Sequence, residues 1–128
     1  MIQSETKPTD RIASPPIVPE EPVIDRVHLA RMTLGDKRLE AEVLALLDRQ
    51  AGLLLARMRE ASPAAAGAFA HTLKGSARGV GAWRMAAAAE RVEMAAGSDM
   101  ATVPEAIAGL AAAVTQAREA IADLLAAS

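Results

Sequence analysis

Apolar side chains return every three or four residues through four long runs of this chain, and residues that start or stop helices punctuate the runs. Leu39, Val43, Leu46, Leu47, Leu54 and Met58 mark the first run, which Asp36 caps and which extends to about Glu60. Ser62 followed by Pro63 is an N-cap with proline at the first helical position, so a second long run starts there and continues to about Arg78. Its inward stripe is Ala66, Phe69, Leu73, Ser76, Ala77 and Val80, and Gly79-Val80-Gly81 breaks it. A third run from Ala82 to about Ala96 carries Met85, Ala89, Val92 and Ala96, with Gly97 as its stop and Trp83 packed near its start. After a turn at Ser98-Asp99, Thr102 or Val103 with Pro104 opens the last run, in which Ile107, Leu110, Val114, Ala117, Ile121 and Leu124 keep the spacing to the C-terminus.

Alanine is abundant, β-branched residues are sparse and aromatics are only 2% of the chain, a balance that favours helix and disfavours strand. Short links between the runs require antiparallel neighbours. The expected architecture is all-α: an up-and-down antiparallel four-helix bundle with a short additional N-terminal helix. That short helix is capped by Asp25, extends to about Met32 with Ile24, Val27 and Leu29 facing inward, and is interrupted by Thr33-Leu34-Gly35. His28 lies on it with no catalytic partner nearby in sequence. Gly52, inside the first long run, costs roughly 1 kcal/mol against alanine and is read as a close helix crossing.

Residues 1–22 hold five prolines, at 8, 15, 16, 19 and 22, and have no apolar periodicity with which to offset the entropy of folding. They are read as a disordered, proline-rich tail, and residues 23–128 as the bundle. At 128 residues the chain can bury a core without staples, and with no cysteine it has neither a disulfide framework nor a thiolate metal site. The two histidines stand in no spacing that suggests a zinc or di-iron centre. A net charge of −2 leaves no basic footprint for nucleic acid. No apolar stretch approaches bilayer length or resembles a signal peptide, so the expected setting is cytoplasmic, with no membrane contact.

The chemistry concentrates at residues 70–81. On a helix, His71, Lys74, Gly75 and Arg78 fall at i, i+3, i+4 and i+7 and share one exposed stripe. A glycine on the outer face of a helix interior costs stability with no packing return, and here it clears a path for a large partner onto the His71 ring. A neutral imidazole is a competent nucleophile near pH 7. Phosphoryl transfer onto it needs positioning and charge neutralisation, which a cation one turn away at Lys74 supplies, with Arg78 adding positive potential. Gly67 lies one turn before His71 and has two readings: it flattens a docking surface, or it reflects loose helix packing.

The run His71-Thr72-Leu73-Lys74-Gly75-Ser76-Ala77 resembles the His-x-Leu-Lys-Gly-Ser/Ala-Ala motif of histidine-containing phosphotransfer (HPt) domains, and Val80-Gly81 matches the apolar-Gly pair that follows it. The likeness extends from about Val23 to Ala127. It implies a phosphoryl carrier in a two-component phosphorelay, an intermediate without independent turnover. His71 would be the phosphoacceptor, Lys74 the cation on the phosphoryl oxygens and Gly75 the access position. The implied partners are response-regulator receiver domains and a hybrid or sensor histidine kinase, met by a monomer. No cofactor is implied in this chain, the divalent cation being expected on the receiver. Many members carry a glutamine one helix later that hydrogen-bonds the imidazole; here the residue twenty-two positions beyond His71 is Glu93. A carboxylate there could hold the ring's other N–H and raise its basicity, or repel a phosphoryl group.

Two rival readings stand beside this one. The phosphoacceptor and dimerisation domain of a sensor kinase also presents a helical histidine, but follows it with an acidic residue and then a proline, where this chain has Thr72 and no proline. A helical adaptor would leave His71 chemically idle.

Overall fold

The computed structural model describes residues 22–127, so the tail read over 1–22 lies outside the described residues except for Pro22. Among the described residues five α-helices follow one another: α1 (Arg26–Met32), α2 (Lys37–Glu60), α3 (Pro63–Val80), α4 (Trp83–Ser98) and α5 (Val103–Ala126), with a 3₁₀ turn at Met100–Thr102 leading into α5. Helices α2 to α5 pack in a ring, each against its two neighbours, and α1 lies across the end of α3. This is the expected antiparallel four-helix bundle with a leading short helix.

The starts of α1, α2 and α3 follow from a side-chain oxygen that accepts an otherwise unpaired backbone N–H, whereas α4 and α5 begin without one. Asp25 accepts from the His28 N–H, Asp36 from that of Leu39, and Ser62 from that of Ala65. The stops differ in two places from the sequence reading. Gly79 and Val80 remain helical, and α3 ends only where Gly81 takes φ = 94°. Gly97 does not stop α4: the helix continues through Ser98, and the extended backbone of Asp99 ends it.

The core is a column of alanines (Ala51, Ala66, Ala70, Ala77, Ala89) wedged between a few large side chains, of which Leu47, Met58, Leu73, Met85 and Leu110 are fully buried. Small side chains let the helix axes close up, and each large one contributes about 1.5–3 kcal/mol by leaving water. Three positions expected inside are outside. Val27 is exposed, with Leu29 taking the inward place on α1, and Leu39 and Leu46 are exposed on α2 while Leu44, Leu47, Ala51 and Leu55 are buried. The apolar band of α2 is wider than one stripe, and the core takes the half centred on Leu47.

Two glycines bear on the packing. A Cβ at Gly52 would lie 2.8 Å from the Arg118 Nη1. What crosses α2 there is thus the Arg118 side chain, whose Nε–H donates to Asp48 at 2.9 Å, and not a helix backbone. A Cβ at Gly81 would come within 3.0 Å of the Asp25 carbonyl oxygen. That close approach lets the Asp25 N–H donate to the Gly81 carbonyl and the Trp83 Nε1–H donate to the Asp25 carboxylate, both at 2.9 Å. The His28 ring stands edge-on to Trp83 at 4.9 Å, completing the corner that fixes α1 to the α3–α4 turn.

Candidate functional site

His71 lies mid-way along α3, and Leu73, Ala70 and Ala77 beneath it are wholly buried, so the helix cannot rotate without opening the core. That places the imidazole on the outer surface, with its side chain 68% exposed. From α4, Glu93 reaches the ring: its Oε2 is 2.7 Å from His71 Nδ1. Its other oxygen, Oε1, is 2.6 Å from the ammonium of Lys74, whose side chain is 14% exposed. The Lys74 contact, and then the His71 contact, hold the Glu93 carboxyl below its ordinary value, so it is ionised at neutral pH.

An ionised carboxylate only accepts hydrogen bonds. The proton between Glu93 and His71 therefore belongs to Nδ1, which donates, and the neutral ring carries its lone pair on Nε2. Among the described residues nothing is bonded to Nε2. The arrangement is an outward ring nitrogen with an available lone pair, fixed in tautomer and orientation by a carboxylate that the Lys74 ammonium in turn neutralises.

The remaining residues of the stripe divide. A Cβ at Gly75 would meet nothing within 4 Å, so the surface beside the ring is open. Arg78 does not join the histidine; it stands 3.4 Å from Glu90 of α4. Gly67 is buried, and a Cβ there would lie 2.7 Å from the Cβ of Ala96. Close approach of α3 and α4 accounts for this glycine, not loose packing, and it floors a shallow trough of about 390 Å³ between Ala64, Ala68, His71, Glu93 and Gly97. A second hollow, about 380 Å³ and lined by Met58, Pro63, Met100, Val103 and Ile107, sits at the α2–α3 and α4–α5 turns and holds no nucleophile.

The Lys74–Glu93 pair is the feature that sequence reasoning missed. The sequence reading gives Lys74 to the incoming phosphoryl oxygens; in the structure it is already engaged by Glu93. The residues lie on different helices, so the signal needed was the register of α3 against α4, which no local spacing encodes.

The family model for the Hpt domain matches residues 36–124, from the cap of α2 to the last turns of α5. The chain belongs to the Hpt domain family. No curated protein and no solved structure matches it. Hpt domains act in phosphotransfer within two-component phosphorelays, where they interact with receiver domains and kinases, as phosphocarriers rather than catalysts. The match spans the four-helix ring up to the last residues of α5 and begins after α1. No helix among the described residues of this Hpt domain is long and apolar enough to cross a membrane.

Proposed function

We propose that this Hpt domain carries its phosphoryl group on Nε2 of His71, taking it from a receiver aspartate and handing it to another receiver. The observation that carries the reading is the contact between Glu93 and Nδ1, which leaves Nε2 as the nitrogen with an available lone pair. In the accepting step that lone pair forms a bond to phosphorus, the P–O bond to the donor aspartate breaks, and the aspartate leaves as a carboxylate. The ring keeps its Nδ1 proton throughout. Lys74 lies beside the ring to balance charge, Arg78 being engaged by Glu90, and any divalent cation belongs to the receiver.

The surface around His71 supports docking by a domain-sized partner. Asp48 and Gly52 meet Arg118 of α5, so the other flank of α2 turns toward α3. That flank carries Leu39, Leu46 and Leu53, seven residues apart and between 40% and 56% exposed. Between it and His71 the outward face of α3 carries small residues, among them Ala68, Thr72, Gly75 and Gly79. A receiver seated over Nε2 covers those leucines with an apolar face of its own. The reading places the protein as a monomer in the cytoplasm, where receivers and kinase output domains are met.

The test is incubation with phosphorylated receivers. Wild type acquires an acid-labile, alkali-stable label, and His71→Gln acquires none while its helical circular dichroism is unchanged. Label retained on His71→Gln would move the site elsewhere, and no label on wild type from any receiver would leave the adaptor reading in possession.

A further inference from the structure

We propose that Glu93 sets the lifetime of the phosphorylated form, making this chain a carrier that discharges quickly instead of one that stores its phosphoryl group. The inference rests on His71 being the acceptor and asks what a carboxylate, as opposed to a neutral amide, does at that contact.

Two consequences follow from the charge. Discharge breaks the N–P bond as phosphorus bonds to a receiver carboxylate oxygen or to water, and the electron pair returns to Nε2. The departing group is a stable neutral imidazole only if Nδ1 still holds its proton; without that proton it is an imidazolate, a far poorer leaving group. Glu93 Oε2, 2.7 Å from Nδ1, stabilises the proton there more strongly than an uncharged acceptor does. Second, Glu93 Oε1 holds the Lys74 ammonium at 2.6 Å, so the nearest cation is shared with a competing anion when the phosphoryl group arrives. The phosphohistidine is thereby both activated and less well neutralised.

The other charged groups at this seam do not replace Glu93. On α3, Arg78 is paired with Glu90, and Glu90 itself stands one turn from Glu93 on α4 with that arginine as its partner. Arg118 of α5 is held by Asp48 of α2. The charge balance at the ring is thus set by His71, Lys74 and Glu93.

Glu93→Gln separates orientation from charge, since the amide oxygen still accepts from Nδ1–H while Lys74 is released toward the phosphoryl oxygens. The purified chain is charged with potassium phosphoramidate, a small donor that needs no partner, and after donor removal the label is followed by intact mass as a function of pH. The glutamine variant is expected to take up label and lose it about tenfold more slowly than wild type near neutral pH, the order expected for removing one neighbouring unit charge at a partly exposed site. Its loss of label is also expected to fall off at a lower pH than that of wild type, because Nδ1 gives up its proton more readily. Glu93→Asp, which restores the charge, returns the decay toward the wild-type rate. Equal lifetimes and equal pH profiles for wild type and Glu93→Gln would overturn the proposal and leave the functional reading standing. Failure of wild type to take up label, or label on His71→Gln, would overturn the functional reading and the proposal together.

Discussion

A methyl group at Gly67 would lie 2.7 Å from the Ala96 Cβ, whereas one at Gly75, two turns further along the same helix, would meet nothing. The two glycines therefore answer opposite substitutions. Gly67→Ala forces α3 and α4 apart and is expected to cost about 1–3 kcal/mol in urea unfolding despite alanine's better helix propensity. Gly75→Ala should instead gain about 0.5–1 kcal/mol. The function of the open site shows with a larger side chain: Gly75→Gln should slow labelling by a phosphorylated receiver about tenfold by displacing the docked partner, and leave labelling by phosphoramidate unchanged. A large loss of stability in Gly75→Gln would place the residue in the core. Leu34 is a further residue-scale case. It sits at φ = 55° and is almost wholly exposed, so Leu34→Asn, which tolerates that left-handed conformation, should raise the melting temperature through about 1 kcal/mol of relieved strain.

At the scale of elements, α2 is a helix with two apolar flanks of which the bundle uses one. Leu46 and Leu53 stay in water, and Leu53 lies near the level of His71 because α2 and α3 run antiparallel from the Ala61–Ser62 turn. Leu46→Glu with Leu53→Glu should keep the thermal unfolding curve and the phosphoramidate labelling of wild type, while slowing transfer from a receiver that labels wild type. Unchanged receiver kinetics would take α2 out of the docking surface. The corner at α1 depends on a carboxylate. Trp83 Nε1–H, and then the His28 backbone N–H, hold the Asp25 carboxyl below its ordinary value of 3.8. Its contribution to stability is therefore complete above that ordinary value and lost as pH falls through the lower folded value. Acid unfolding followed by Trp83 fluorescence should show this loss, and Asp25→Asn should flatten it. Gly81→Ala presses on the Asp25 carbonyl and strains a φ of 94°, so it should loosen the same corner.

For the whole molecule, the apolar periodicity and the cap residues were enough to give the number of helices, their order and their antiparallel packing, because both signals are written within a few residues. The run from His71 to Ala77 likewise placed the histidine and an open glycine on the outer surface of one helix, since one helix turn fixes which side chains share a face. Three things were not legible. One was which half of the wide apolar band of α2 faces the core, decided when α3 and α5 settle on either side of Leu47. Another was whether a small residue is needed for space: Gly67 stands between a docking and a loose-packing reading until Ala96 is seen against it, with nothing against Gly75. The last was the partner of Lys74, which depends on the register between α3 and α4. The sequence by itself determined the bundle and the histidine. The tertiary structure decided the charge state around that histidine, because an ion pair between two helices exists only once their packing has brought Lys74 and Glu93 to the same height.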